Sequence, residues 1–314
     1  MKAETRQAWA AEITDLDELA AAQGDARMEH SRTASGPFRL RMRVADFGTL
    51  RLQSNEASNG YIAQGVLRAD RFGLLLPTGG PAGESRFNGS LLGADDIVLA
   101  RPGAEILAHA RAGAAWAALL LGDGEFGTPI EDAWPSGAGT FLCVGRLRAA
   151  PGLRRLTVEV GDMAATNPAA LRAPAVAGAI VEAVSARLAA ALATAPERPA
   201  RASGQHLRVV RRAMDYLDAV LAQPVYSEEV GRALGVSPRA LNESFGVALG
   251  VSLQQYLRIR RLNLARRLLR QAVEGTLVKT IALDLGFWHL GRFSLAYRDL
   301  FGETPSETLA GRPG

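Results

Sequence analysis

The sequence predicts an α+β chain of two domains: an N-terminal antiparallel β sandwich or barrel with accompanying helices, then a C-terminal all-α domain. Three observations carry that expectation. The chain has 314 residues, more than one ordinary hydrophobic core accommodates. Short apolar or alternating runs broken by Gly and Pro fill the stretch from about Arg39 to Leu121. From Pro174 onward the apolar residues recur at spacings of three and four, the period of a helix. With 48% hydrophobic and 22% charged residues, the composition is that of a folded chain.

The strands come first. Arg39–Val44 and Leu50–Leu52 alternate apolar and polar, while Gly73–Leu76, Asp96–Leu99 and Ala115–Leu120 are apolar runs between turn signals. Pro77-Thr78-Gly79-Gly80-Pro81 and Pro102-Gly103 suit tight turns between antiparallel strands. The run from Gly93 to Gly103 resembles the turn-strand-turn stretch of cupin-like jelly rolls. A metal-binding cupin supplies clustered histidines, and here only His109 and the distant His30 are available, so a metal-free, cofactor-free pocket is expected. Residues 1–172 are therefore read as a cupin-like domain for a small organic effector, with Phe87, Arg101 and Trp116 as candidate contacts.

The helical part opens at Pro174. Ala177, Val181, Val184, Leu188 and Ala191 follow a 4-3-4-3 spacing, a narrow apolar seam. Residues 173–194 are read as a dimerisation helix, with packing on its own domain as the alternative. Residues 195–205, rich in Pro, Ala and charge, read as a linker, and 206–314 as the C-terminal domain. No apolar run approaches the roughly 18 residues needed to span a bilayer, and the charged N-terminus does not lead into a signal-like stretch; a cytoplasmic, non-membrane protein is expected. The single cysteine, Cys143, excludes an intrachain disulfide. Charge is uneven: from Ser203 to Gly314 there are 15 Lys+Arg against 10 Asp+Glu, and taking these from the totals of 36 and 32 leaves 21 against 22 before it. The basic excess of the C-terminal part suits a polyanionic partner.

Within that part, Leu207, Val210, Met214, Leu217 and Leu221 stripe a first helix. Ser227 suits an N-cap of a second, Gly231 is small where helices must cross, and Gly235 supplies a turn. A helix from about Pro238 to Leu249 buries Leu241 and Phe245, leaving Arg239, Asn242 and Glu243 on another face. The pattern returns 51 residues later: Ile281, Ala282, Leu285, Gly286 and Phe287 repeat Val230, Gly231, Leu234, Gly235 and Val236, and Phe293 and Tyr297 stand in for Leu241 and Phe245 after a turn one residue longer. Two helix-turn-helix units in register are a far stronger signal than one. Between them Ser252–Gln271 offers Tyr256, Leu257, Leu262, Ala265, Leu268 and Leu269 as core. It also carries six arginines (Arg258, Arg260, Arg261, Arg266, Arg267 and Arg270) and no acid. A helix of that length spans about 30 Å, comparable with the roughly 34 Å between successive major-groove faces of one side of B-DNA. Its arginines are candidate phosphate neutralisers.

The run Ile281–Phe287, followed by Phe293-Ser294, Tyr297-Arg298, Phe301-Gly302 and Thr304-Pro305-Ser306, resembles the C-terminal signature of AraC/XylS-family regulators over about residues 206–309. Gly286–Phe293 is similar to the branch that includes ethanolamine-utilisation regulators. The resemblance implies a sequence-specific DNA-binding regulator, responsive to an effector bound in a variable N-terminal domain, with activation favoured over repression. The implied partners are duplex DNA, RNA polymerase and a second copy of the chain. Carried residue by residue, the first reading face falls at Ser237, Arg239, Asn242 and Glu243 and the second at Leu290, Gly291, Arg292, Ser294, Leu295 and Arg298; Arg261 and Arg267 are the expected phosphate clamps. Glu243 and Leu295 depart from the Arg common in the family. Glu can accept from cytosine N4 and Leu can touch a thymine methyl.

Two other classes remain as alternatives. An enzyme or thiol sensor would use Cys143 with His109, which lie in no recognisable motif. A dimerising scaffold would not need two groove-reading units. No catalytic residue is assigned.

Overall fold

The computed structural model describes residues 8–23, 26–80, 85–122, 126, 130–132, 134, 140–144, 150–193, 204–220 and 225–311. Two compact units result: 1–30, 38–58 and 63–202 form one, while 203–314 with the short segments 31–37 and 59–62 form the other. The expected linker falls on residues that are in large part outside those described, as does Leu221.

In the first unit twelve strands are described: β1 (Ala8–Ile13), β2 (Ala26–Arg32), β3 (Leu40–Asp46), β4 (Leu50–Ala57), β5 (Tyr61–Leu67), β6 (Arg71–Gly79), β7 (Arg86–Phe87), β8 (Ser90–Leu91), β9 (Ile97–Ala100), β10 (Glu105–Ala110), β11 (Ala115–Gly122) and β12 (Phe141–Val144). They form a seven-stranded sheet in the order β1-β3-β4-β11-β6-β9-β12 and a five-stranded sheet in the order β2-β5-β10-β7-β8. Helices α1 (Leu16–Gln23), α2 (Ala150–Thr166) and α3 (Pro174–Ala193) accompany them.

Alternation along each strand divides the seven-stranded sheet into two faces. Leu50, Leu52, Leu74, Leu76, Ala117, Leu119 and Leu121 share one core with Leu153 and Val160 of α2 and Ile180, Val184 and Leu188 of α3. On the opposite face Leu120 and Ala100 meet Leu67 and Ala104, and Val98 meets Phe87 and Leu92. The helix layer lies close to the sheet: a Cβ on Gly161 of α2 would stand 2.8 Å from the Cβ of Ser54.

Three expectations change here. Pro77–Gly79 continues β6: Trp116 pairs with Pro77 and Ala115 with Gly79, and the register shift between them leaves Thr78 as the extra residue. Val184 and Leu188, expected across a partner interface, are 0% and 2% exposed within their own unit's core, so these two side chains of the seam pack on their own sheet. Finally, α3 is long and apolar enough to cross a membrane by length and composition, with mean hydropathy 1.7 and 22% of that window buried, against the expectation that no such run exists; Ile180, Val184, Leu188, Ala191 and Leu192 are its buried residues and join the core.

The second unit consists of α4 (Gly204–Ala219), α5 (Ser227–Leu234), α6 (Pro238–Leu249), α7 (Leu253–Arg270), α8 (Val278–Asp284), α9 (Leu290–Phe301) and α10 (Pro305–Ala310). The far half of α7 supplies Leu262, Ala265 and Leu269 to a core completed by Ile281, Ala282, Phe293, Tyr297 and Phe301. Nearer its start, Tyr256 meets Phe245 of α6 at 5.3 Å between ring centroids. Leu268, expected in the core, is 38% exposed.

Candidate nucleic-acid interface

Each helix-turn-helix is closed by the same backbone device. Val236 N donates to Gly231 O and Phe287 N donates to Ala282 O, both at 2.9 Å. Between them Gly235 and Gly286 take φ of 69° and 77°, the left-handed region where glycine costs least. The repeat extends beyond what the sequence reading used. Gly250 and Gly302 end α6 and α9 at φ of 71° and 78°. Two residues later Ser252 and Thr304 cap the next helices, accepting from Gln255 N and Glu307 N. The Gly-x-Ser/Thr spacing was the signal that could have revealed it.

Helix phase in α6 is fixed by Leu241, Phe245, Ala248 and Leu249, all fully buried. Arg239 and Glu243 consequently face outward and are exposed. Ser237 is exposed too, but its hydroxyl accepts from Ala240 N at 3.1 Å and caps the helix. Asn242 is engaged at both ends: Nδ2 donates to Pro238 O at 3.0 Å and Oδ1 accepts from Leu253 N at 3.4 Å. That half-buried side chain locks α6 to the start of α7, which argues against its use as a base reader. Ser227, expected as an N-cap, is the first residue of α5; Tyr226 occupies the cap position without a side-chain bond.

In α9 the buried Phe293, Ala296, Tyr297 and Leu300 define the inner face. Leu290, Gly291, Arg292, Leu295 and Arg298 are exposed and Ser294 is half-buried. Tyr297 anchors the helix: its hydroxyl is 2.8 Å from Thr308 Oγ1 of α10, and burial raises its pKa well above the ordinary phenol range.

The arginines of α7 divide into groups. Arg260 pairs with Asp218 at 2.6 Å and donates to the Tyr256 hydroxyl at 3.0 Å. Arg266 pairs with Glu303 at 3.1 Å and lies over the Phe301 ring. Arg261 and Arg267 are half-buried, and burial lowers the Arg261 pKa. Arg258 is exposed. The sequence could not separate these groups, because Asp218 and Glu303 lie 42 and 37 residues away along the chain.

The candidate effector contacts do not gather in one place. Phe87 packs with Leu92 and Val98. Arg101 pairs with Glu131 at 2.5 Å and stacks on Trp134. Trp116 stands opposite Asn55 of β4. Leu52 and Ser54 face the helices, so Gln53 and Asn55 point to the other face; they are 4% and 2% exposed, and Asn55 Oδ1 has no hydrogen-bond partner. His109 lies on β10 of the five-stranded sheet and Cys143 on β12 of the other; the Cys143 side chain is outside the described residues.

Comparison with known proteins agrees with this geometry. The family model described as "Helix-turn-helix domain" matches residues 230–311. Regulatory protein SoxS of Salmonella typhimurium (strain LT2) is 30% identical over 102 residues, which are 32% of this chain and 94% of that protein. The chain belongs to the AraC/XylS family of transcription regulators. The "Probable thc operon regulatory protein" of Rhodococcus erythropolis is 42% identical over 102 residues, 32% of this chain and 31% of that one. "XylDLEGF operon transcriptional activator 2" of Pseudomonas putida is 33% identical over 100 residues, 32% of this chain and 64% of that one. The matched stretches thus span about a third and under two thirds of these two relatives. The residues matched by the family model lie within the helical unit.

Proposed function

We propose that this AraC/XylS-family chain is an effector-responsive, sequence-specific transcription regulator that places α6 and α9 in successive major grooves of duplex DNA. The observation that carries this is the duplicated helix-turn-helix, in which each second helix buries one face and presents the other to solvent. Arg239, Glu243, Leu290, Gly291, Arg292, Ser294, Leu295 and Arg298 are the proposed readers; Ser237 supports the first of them as a cap. Arg261 and Arg267, half-buried, are proposed to meet phosphates through whatever part of each guanidinium reaches the surface, and exposed Arg258 joins them. Site selection from random duplexes by the full chain tests the reading. One enriched motif with two blocks is expected; a pool left unenriched at physiological salt sinks it.

Activation, with RNA polymerase as partner, is the direction supported by the relative named as a transcriptional activator. A cytoplasmic location follows from a DNA partner. A second copy of the chain, if it binds, uses a surface other than the α3 seam. For the effector we propose the polar patch of Gln53, Asn55 and Trp116 inside the sandwich, because a buried amide oxygen without a donor is costly in an apolar core and a ligand N–H or O–H removes the penalty. Thermal-shift screening of amines, organic acids and sugars should find a stabiliser whose effect Asn55→Ala abolishes; a stabiliser indifferent to Asn55→Ala moves the site elsewhere.

A further inference from the structure

The two reading faces differ in chemistry. That of α6 is charged, with Arg239 and Glu243 exposed. That of α9 is apolar at its centre: Leu290 is 39% exposed, Leu295 54%, and Trp288, in the turn before it, 62%. Single exposed apolar side chains are ordinary; Leu290 and Leu295, five residues apart, stand about 140° apart around the helix, and of the two it is Leu295 that lies opposite the buried Phe293, Ala296, Tyr297 and Leu300.

Gly291 sharpens the point. It has no positive φ, and nothing lies within 4 Å of where its Cβ would stand, so neither backbone conformation nor internal packing requires a glycine. Side chains of a helix lean toward its N-terminus and cover the turn before them, so Leu295 lies over the turn that begins at Gly291. The result is a bare step of backbone beside an exposed isobutyl group. The exposed Arg292 and Arg298 flank that step, which suits a polyanion rather than an apolar protein surface.

We propose that α9 reads the C5-methyl groups of thymine, with Leu295 as the apolar contact and Gly291 as the opening that lets the base edge approach the helix. Among base edges in the major groove, thymine alone presents a methyl group. The second block of the site is therefore specified by thymines, while the first is specified by hydrogen bonds to Arg239 and Glu243. This rests on the DNA-binding reading given above.

The test starts from the motif that the full-length chain selects from random duplexes. Each thymine of that motif is then replaced singly by uracil, which removes the methyl and leaves base pairing intact. Burying one methyl-sized group is worth about a three- to fivefold change in affinity; that loss is expected at one or two thymines confined to one block. The penalty should vanish in Leu295→Ala. Gly291→Ala, which adds a methyl to open space in the free protein, should weaken operator binding without lowering thermal stability. Failure to select any motif would remove the DNA reading and this inference together. A tight motif with no uracil-sensitive position overturns this inference alone, and so does a uracil penalty that persists unchanged in Leu295→Ala.

Discussion

The substitution Gly231→Ala isolates how closely α5 and the start of α6 approach each other. Gly231 is buried in α5, and a Cβ there would stand 2.6 Å from Val236 O, with Pro238 N and Ser237 C at 3.5 and 3.6 Å. The obstacle is the backbone of the turn itself, so no rotamer change relieves it. Ala in place of Gly gains about 1 kcal/mol of helix propensity. Overpacking against an immovable neighbour costs about 1–3 kcal/mol. With backbone as the obstacle the cost lies toward the upper end, leaving a net loss of about 1–2 kcal/mol. For a helical domain of roughly a hundred residues, at about 4–8 °C per kcal/mol, that is a fall in Tm of roughly 4–16 °C. Gly246, in α6, is the control: nothing lies within 4 Å of its would-be Cβ and its φ is not positive, so Gly246→Ala should raise Tm through propensity alone. The second unit shows why the first is tight. In the second helix-turn-helix the equivalent residue is a fully buried alanine, Ala282, and three residues separate Gly286 from α9 where two separate Gly235 from α6, which gives the chain room to clear a methyl group. Scanning calorimetry of the full chain, with operator binding measured in parallel, provides the comparison. Equal, upward Tm shifts in both variants would refute the claim that the close approach at Gly231 governs the turn.

Three further outcomes are expected. Thr304→Ala removes the capping box of α10, in which Thr304 Oγ1 accepts from Glu307 N and Glu307 Oε2 accepts from Thr304 N at 2.6 Å; a loss of about 1 kcal/mol is expected, and Thr304→Ser should restore most of it. Tyr297→Phe deletes the buried 2.8 Å bond to Thr308 Oγ1 and should cost about 1 kcal/mol in chemical denaturation while leaving the fold intact; an unchanged midpoint would mean the bond contributes nothing. The third is a pH dependence. Hydrogen bonds from the Thr304 backbone and hydroxyl hold the exposed Glu307 carboxyl below the usual carboxylate range, so its contribution is complete above about pH 4.3, the usual unfolded value, and is lost as pH falls through the lower folded value. Wild type should therefore exceed Glu307→Gln in Tm at neutral pH and converge with it toward pH 3; parallel curves would refute the assignment.

Much of this arrangement was legible because burial on one face fixes phase. Leu241 and Phe245 in α6, with Phe293 and Tyr297 in α9, set which side of each helix points inward, so the sequence alone places Arg239, Glu243, Arg292 and Leu295 outside. Likewise β3, β4, β6, β9 and β11 announced themselves as alternating or apolar runs because they lie side by side in the helix-covered sheet. What stayed hidden depends on partners distant in sequence. The two-residue strands β7 and β8 are too short to show a period. The α3 seam has the same spacing whether it meets a sheet or a second helix, and only the contacts of Val184 and Leu188 with their own unit's core decide.

Asn242 makes the same point at the interface itself. Helix phase leaves it off the buried stripe of α6, yet its amide is tied to Pro238 O and to Leu253 N, eleven residues on. Arg260 and Arg266 are likewise held by Asp218 and Glu303. Periodicity therefore identifies which side chains are able to face DNA, and tertiary hydrogen bonds and ion pairs withdraw some of them. Those left outward are a cationic and acidic pair on α6 and, on α9, Leu295 beside Gly291 with Arg292 and Arg298 flanking them. A duplicated motif thus carries two unlike readers, and the site it recognises should be as asymmetric as the chemistry of the two helices.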